Sequence, residues 1–263
     1  MGQTPDPDFD RQLCRQSLWL KDSWLWLFEK KVLAGRKGTA RPKALDVGCG
    51  PGFVMDILKP SLDVHGIDVD QDMVSMCKAR GLDVVQGRAE ELPFEDKEFD
   101  ITYCSFLLLL VKDPLKVVTE MKRVSKRWVL ALAEPDYGAW IDFPEGLDGL
   151  KEFLIQGLMA TGRDPFIGRK LRGIFKEAGL VAEIGAHPGV WDPKQLKEEY
   201  EDQRRFVKSL VKVGADEAGL DRIEKSWKEA LDNGRLFHYN PIFYGIGSKR
   251  RILQSPMTRK NIE

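Results

Sequence analysis

The chain has 263 residues, and its 41 lysines and arginines balance its 41 aspartates and glutamates, which gives a formal net charge of zero at neutral pH. This balance weakens the case for a nucleic-acid substrate. The longest purely apolar run, residues 106–111, is far shorter than the ~20 residues of a membrane span, and the acidic N-terminus does not resemble a signal peptide. We therefore expect a cytoplasmic protein without a membrane partner. The four cysteines lack metal-ligand spacing, so no metal site is expected.

The first half of the chain predicts alternating helices and strands. Apolar residues at helical spacing predict a helix over residues 10–34. Short apolar runs predict the strands that follow, at 43–47, 62–67, 84–85, 101–105 and 128–133. Helical patterns lie between most of these strands, and such alternation is typical of βαβ units around a parallel sheet.

The pattern changes after Glu134. Residues 135–146 are rich in proline, glycine and aspartate, which favours an irregular segment. The remaining periodic segments predict helices at 147–161, 166–178, 193–212 and 216–232, and strands at 181–184 and 237–246. Residues 249–263 form a basic tail.

Three glycines follow the first predicted strand in ALDVGCGPGF: Gly48, Gly50 and Gly52. A triphosphatase loop would need lysine and serine or threonine after its glycines, and a dinucleotide loop would need glycine at Phe53. Asp46 also disfavours a phosphate, because a carboxylate there would repel it, whereas an ammonium or sulfonium would be attracted. The turn therefore predicts a nucleoside ligand with a cationic extension.

The second predicted strand supplies a site for the nucleoside. Asp68 ends this strand, and its carboxylate can accept hydrogen bonds from both ribose hydroxyls. Val69 and Met73, just beyond it, are placed to lie against an adenine ring.

Four motifs stand in order between residues 43 and 134: LDVGCGPG, GIDVDQDMV, GRAEELPFEDKEFDI, and SFLLLL followed by DP. Together they resemble the class I S-adenosylmethionine-dependent methyltransferases, in particular the small methyltransferase-domain type. The resemblance implies an α/β, Rossmann-like, seven-stranded and mostly parallel sheet with helices on both faces. It also implies an N-terminal helical lid, helical insertions after the fifth strand and before the last, and a reversed final hairpin.

The resemblance further implies how S-adenosylmethionine would be bound. The glycine turn would approach the methionine part, Asp68 would hold the ribose, and the backbone of Ala89 would meet the adenine. Arg88 stands where the family usually has an aspartate that accepts from adenine, so this recognition would fall on backbone groups or Glu90. The full set of expected cofactor contacts is Asp46, Gly48, Cys49, Gly50, Asp68, Val69, Met73, Ala89, Glu90, Ser105 and Phe106.

The segment after the fifth strand is the expected acceptor side. Asp136 and Tyr137 are the candidate catalytic residues, because a carboxylate or a phenol there could take a proton from the acceptor, with Trp140 aligning it. Residues 163–169 form either a second wall of this pocket or an ordinary helix start with a salt bridge.

Other conspicuous side chains are given structural interpretations. Cys49 and Cys104 are expected to be packing residues, and His65, His187 and His238 to be satisfied structural histidines. The tryptophan-rich stretch 19–28 either packs against the sheet or closes over an apolar acceptor.

We predict an S-adenosylmethionine-dependent methyltransferase that acts on a small organic acceptor by in-line displacement, with S-adenosylhomocysteine as the product. Two alternatives stay open: methylation of RNA or protein, which the basic tail favours, and a non-catalytic S-adenosylmethionine-binding interaction domain. The glycine spacing opposes a nicotinamide-dependent oxidoreductase. The expected organisation is a single domain over 1–248, comprising a lid (10–34), a cofactor-binding core (43–134), an acceptor-side region (135–232) interrupted by a core strand (181–184), and a closing strand (237–246).

Overall fold

A seven-stranded sheet forms the centre of the computed structural model, which describes residues 7–147, 149–200, 205 and 217–249. Its strands are β1 (Lys43–Val47), β2 (Asp63–Asp68), β3 (Val84–Gln86), β4 (Phe99–Cys104), β5 (Ser125–Pro135), β7 (Val181–Ala186) and β9 (Ile242–Ser248). The order across the sheet is β3-β2-β1-β4-β5-β9-β7. Strands β1 to β5 pair in parallel, and β9 runs antiparallel to both of its neighbours. The predicted mostly parallel sheet is therefore confirmed.

The helices are α1 (Pro7–Leu27), α2 (Phe53–Leu58), α3 (Gln71–Ala79), α4 (Pro114–Val124), α5 (Gly149–Ala160), α6 (Ile167–Glu177), α7 (193–200 within the described residues) and α8 (Glu217–Asp232). A π-helical turn, Phe28–Val32, extends α1. Aspartates fix two of the helix starts. Asp70 accepts from the Asp72 N–H before α3, and Asp113 accepts from the Lys116 N–H before α4, as capping residues do. None of the described helices is both long and apolar enough to cross a bilayer.

Apolar clusters cover both faces of the sheet. On one face, α4 and α6 bury Val117, Met121, Leu171 and Phe175 against the strands. On the other face, α1 packs its Leu20, Trp24 and Leu27 side chains. Strand β5 is buried at every position from Trp128 to Pro135, because a central strand covered on both faces is apolar throughout instead of alternating. The prediction of helices on both faces is confirmed.

A third apolar cluster lies beside the sheet and unites α5, α7 and α8. Leu154, Leu158, Leu196 and Trp227 are its buried members from these helices, and Trp140 joins them from the segment after β5. The helices that follow β5 thus share a core of their own.

The predicted single last strand, 237–246, is wrong. The segment forms two strands, β8 (Phe237–Tyr239) and β9, separated by Asn240 and Pro241. Proline has no N–H for a ladder, so the pairing breaks there. Strand β8 leaves the main sheet and pairs antiparallel with β6 (Ile141–Phe143). The C-terminal part of the predicted helix 193–212 and nearly all of the basic tail lie outside the described residues.

Candidate functional site

A cavity of about 630 Å³ opens at the carboxyl ends of β1, β2 and β4. The chain order of the strands reverses between β1 and β4, and open α/β sheets bind ligands at such a point. We refer to this space as the first cavity. Every residue named above as an expected cofactor contact lines it, from Asp46 in β1 to Phe106 after β4.

The glycine turn has a backbone that only glycine adopts readily. Gly48, Gly50 and Gly52 have φ angles of 70°, 50° and 81°. A Cβ atom on Gly48 would lie 2.7 Å from Leu107, whereas one on Gly50 would meet nothing within 4 Å. The amides of Gly48 and Cys49 donate to the Ile67 carbonyl at 2.8 and 3.1 Å, which fixes the turn against β2. The turn therefore leaves the backbone at Gly50 open for close approach.

Asp68 connects the end of β2 to this turn. Its Oδ2 atom accepts the Gly50 N–H at 2.7 Å, and its Oδ1 atom accepts the Asp70 N–H at 2.9 Å. A carboxylate offers about four acceptor positions, so each oxygen keeps capacity for a further donor. The side chain is held in one orientation and can still accept two hydroxyl groups.

Asp46 is a buried carboxyl group on the wall of the first cavity. It is 1% exposed, and its Oδ2 atom has no hydrogen-bond partner among the residues that the structure describes. Burial raises the pKa of Asp46 well above its usual range, and the neighbouring Tyr103 hydroxyl lowers it in part. A cation beside this group would favour its ionised form. The unpartnered oxygen therefore fits a cationic ligand.

The far end of the first cavity contains the adenine-side candidates. Val69 is largely exposed, and Gly87 donates its N–H to the Asp68 carbonyl at 2.9 Å. The Arg88 side chain is 67% exposed to solvent and forms an ion pair with Glu90 at 3.3 Å. Glu90 and Ala89 both line the cavity, so the carboxylate and the backbone stay the two predicted alternatives for recognising adenine.

The wall formed by residues 105–110 is held by a residue that sequence reasoning did not single out. The Glu134 carboxylate accepts the N–H groups of Leu107, Leu108 and Leu109 at 3.2, 2.9 and 3.3 Å. Burial raises the pKa of Glu134 to about 8, and these hydrogen bonds offset part of the increase. An acidic residue inside the apolar run of β5 was the available signal.

A second cavity, of about 230 Å³, adjoins the first. Leu13, Gln16, Phe106 and Leu110 line both spaces. The tryptophan-rich helix contributes to each, because Trp24 lines the first cavity and Trp19 lines the second. One face of the helix packs on the sheet, and the helix also bounds both cavities. Its closing over an acceptor stays a prediction.

The two candidate catalytic residues lie in different surroundings. Asp136 is 1% exposed and binds Arg169, accepting its backbone N–H at 3.1 Å, Nε at 2.5 Å and Nη2 at 2.6 Å. It does not line either cavity. Asp136 is therefore the salt-bridge partner of Arg169 in the first turn of α6. This position differs from the predicted one, in which Asp136 would accept a proton beside the acceptor.

Tyr137 does line the second cavity. Burial raises its pKa to about 12, Glu134 adds to the increase, and Arg163 opposes it. The hydroxyl is therefore protonated at neutral pH, which makes it a hydrogen-bonding group instead of a base.

Three of the four cysteines are buried, and each histidine ring has at least one polar contact. A hydrogen bond with Cys77, together with burial, raises the pKa of the Cys49 thiol, as expected of an unreactive packing residue. His187 is within 2.6 Å of both the Ser23 hydroxyl and the Leu132 carbonyl, so both of its ring nitrogens have partners. His238 differs: its Nδ1 atom contacts Asp142 at 2.7 Å, but its Nε2 atom has no partner within the described part of the chain.

Comparison with known proteins agrees with this arrangement. Residues 45–129 match a family described as a methyltransferase domain. Over 105 residues the chain is 39% identical to a demethylmenaquinone methyltransferase of Staphylococcus aureus, a match that covers 36% of this chain and 42% of that protein. The chain spans about half the length of the curated relatives it matches, between 42% and 56% for the first three.

Solved structures show the same fold at low identity. An S-adenosylmethionine-dependent methyltransferase from Archaeoglobus fulgidus is 18% identical, with a TM-score of 0.54 and coverage of 91% of this chain and 94% of that one. A Haemonchus contortus phosphoethanolamine N-methyltransferase in complex with S-adenosylhomocysteine is also 18% identical, with a TM-score of 0.51 and coverage of 87% and 51%.

The strand order and the reversed β9 give the fold that this chain shares with the solved methyltransferase structures. The family match places a methyltransferase domain over residues 45–129.

Proposed function

We propose that the protein transfers a methyl group from S-adenosylmethionine to a small organic acceptor. The observation that carries this proposal is the junction of two cavities. The first is lined by the glycine turn and Asp68, the second is lined mainly by aromatic and apolar side chains with a few polar ones, and Phe106 and Leu110 border both. A methyl group at the junction would face an acceptor in the second cavity.

The residues of the first cavity fit the cofactor. Asp68 would accept from the ribose hydroxyls, and the open backbone at Gly50 would allow the methionine part to approach. The buried, unpartnered Oδ2 atom of Asp46 would attract its ammonium group. Ser105 also has a buried hydroxyl oxygen that lacks a partner in the described ranges, and it lies on the same wall.

Alignment is the main contribution of the chain. The bound S-adenosylmethionine supplies an already activated methyl group on a sulfonium. Orientation of reacting groups can contribute ~7–11 kcal/mol to lowering a barrier. The wall at 105–110, held by Glu134, fixes the boundary between the cavities, and Tyr137 offers a neutral hydroxyl to orient the acceptor.

A small acceptor is favoured by the limited volume of the second cavity, about 230 Å³. The relatives are named for small molecules, demethylmenaquinone in one case and phosphoethanolamine in the other. We further propose that residues 1–248 act as one domain, because α1, α5 and α7 contribute Leu13, Leu154 and Glu199 to cavities that border the core.

Calorimetric titration with S-adenosylmethionine, S-adenosylhomocysteine and NAD tests the cofactor. We expect micromolar binding of the first two, no binding of NAD, and a loss of about 100-fold in affinity for Asp68→Asn, since hydrogen bonds to a charged group contribute ~1.5–3 kcal/mol. Asp63→Asn, at the exposed start of the same strand, is the matched control and should bind like the wild type. Equal affinities for the two variants would contradict the proposed ribose contact.

A further inference from the structure

We propose that the second cavity binds a small hydroxy-substituted aromatic carboxylate, with Arg163 as the partner of its carboxylate group. The inference rests on the proposed function in one respect, because it takes this molecule to be the methyl acceptor. Binding of the acid itself depends only on the second cavity.

Arg163 provides the unmatched charge in this cavity. It is half-buried, and it forms no ion pair with any residue that the structure describes. The acidic groups around it are already matched: Asp164 pairs with Lys170 at 2.6 Å, and Glu199 pairs with Arg15 at 3.1 Å. A guanidinium in a cavity wall binds a planar carboxylate well, because its N–H groups match the two oxygens.

Aromatic side chains restrict the shape of ligand that the second cavity can accept. Trp19 and Trp191 meet edge to face with ring centroids 5.3 Å apart, and Tyr137 lines the same cavity. The volume of about 230 Å³ is below the ~300–1,000 Å³ usual for drug-sized ligands, so one ring fits better than an extended chain. An aromatic ring also gains edge-to-face contacts with such walls.

Two buried polar atoms on the cavity wall have no partner within the described residues, the Trp191 Nε1 atom and the Asn240 Oδ1 atom. Asn240 is 6% exposed, and leaving such a buried polar group unpaired is unfavourable. The indole N–H can only donate, so it suits a carboxylate oxygen. The Asn240 carbonyl can accept from a hydroxyl group on the ring.

Asp142 and His238 form a pair that packs against Trp191, which is part of this wall. They are register partners across β6 and β8, joined at 2.7 Å. The His238 ring lies with its centroid 4.6 Å from that of Trp191 and 4.7 Å from that of Trp140. We regard the pair as positioning residues for Trp191.

In the reaction, the hydroxyl oxygen of the acid would form the new C–O bond as the S–C bond of S-adenosylmethionine breaks. The sulfur keeps the electron pair of that bond and leaves as neutral S-adenosylhomocysteine. The hydroxyl proton passes to water, so charge and atoms balance.

Binding of 4-hydroxybenzoate and 4-hydroxybenzamide to the full chain, with and without saturating S-adenosylhomocysteine, tests the proposal. Titrations followed by ligand NMR should show the acid binding at least about tenfold more tightly than the amide, equivalent to ~1.4 kcal/mol. Arg163→Gln should abolish this preference, and Arg163→Lys should restore part of it. Arg172→Gln, an exposed arginine on α6, is the matched control and should keep the preference.

Equal binding of acid and amide to the wild type, or an unchanged preference in Arg163→Gln, would overturn the inference. The experiment distinguishes failure of this inference from failure of the proposed function. If the acid binds with the stated preference but S-adenosylhomocysteine does not bind, this inference is supported and the proposed activity is contradicted. If S-adenosylhomocysteine binds and the acid does not, only the carboxylate inference is contradicted.

Discussion

The two cavities are built in different ways. The first lies at the ends of adjacent parallel strands, and its key atoms are backbone amides and two carboxyls within one stretch of chain, from Asp46 to Asp68. The second is assembled from side chains of α1, α5 and α7 and from the segments around Trp191 and Asn240. Short-range geometry governs most of the first cavity and long-range packing governs the second. A substitution outside the residues that line both cavities should therefore affect one cavity without the other.

The largest effect is expected from Gly50→Ala. Its added methyl would meet no protein atom within 4 Å, so it would project into space that the ligand needs. We expect affinity for S-adenosylmethionine to fall about 100-fold or more, ~2.7 kcal/mol, as measured by calorimetry. Gly234→Ala is the matched control, because that glycine has φ of 66° and also meets nothing within 4 Å. Both variants should lose a similar free energy of unfolding. If the two bind S-adenosylmethionine with comparable affinity, the assignment of the first cavity to this ligand is contradicted.

Asp136→Asn should act on stability and not on either cavity. It removes the charge from a buried group that accepts three hydrogen bonds from Arg169. Because Arg169 is half exposed, we expect the free energy of unfolding to fall by about 2 kcal/mol, which is less than the ~3–5 kcal/mol for breaking a fully buried pair. Denaturant unfolding measures this loss, and cofactor affinity of the folded variant should be unchanged. A selective loss of turnover at normal stability would restore Asp136 as a catalytic candidate.

Tyr137→Phe should affect the second cavity alone. Removing the hydroxyl from an acceptor contact should lower kcat/KM by about tenfold, while calorimetry shows the same affinity for S-adenosylmethionine. Because the pKa of Tyr137 is raised to about 12, the activity of the wild type should show no ionisation of this phenol between pH 6 and about 10. Tyr244→Phe, outside both cavities, is the control. Weakened binding of S-adenosylmethionine by Tyr137→Phe would contradict the claim that the two cavities respond independently to substitution.

A pH-dependent effect on stability concerns the wall between the cavities. The pKa of Glu134 is raised by burial from 4.5 to about 8, so between these pH values the folded protein binds more protons than the unfolded chain. The stabilisation is complete below pH ~4.5 and is lost as pH rises towards 8. Because of Glu134, the free energy of unfolding should fall with rising pH by less than ~1.4 kcal/mol per pH unit. Glu134→Gln should remove this part of the pH dependence. Chemical unfolding at several pH values checks it, and identical slopes in both proteins would contradict it.

The same contrast explains what the sequence predicted. The alternation of strands and helices, the glycine turn and Asp68 are local patterns, and the structure brings their residues to one cavity. The contact of Asp136 with Arg169 joins residues 33 positions apart in the chain, so no local pattern could reveal it. The prediction of a single last strand was wrong because the run 237–246 is apolar on both sides of Pro241. The proline was the available signal for the break, and the pairing of β8 with β6 is a long-range contact that the sequence does not show. Asn240 and Trp191 carried no pattern at all.

A crystal structure of the complex with S-adenosylhomocysteine tests the central claim most directly. We predict that the ligand fills the first cavity, with its ribose hydroxyls on Asp68 and its sulfur at the junction beside Phe106 and Leu110. An adenine ring at that junction, or a ligand bound away from Asp68, would contradict the account.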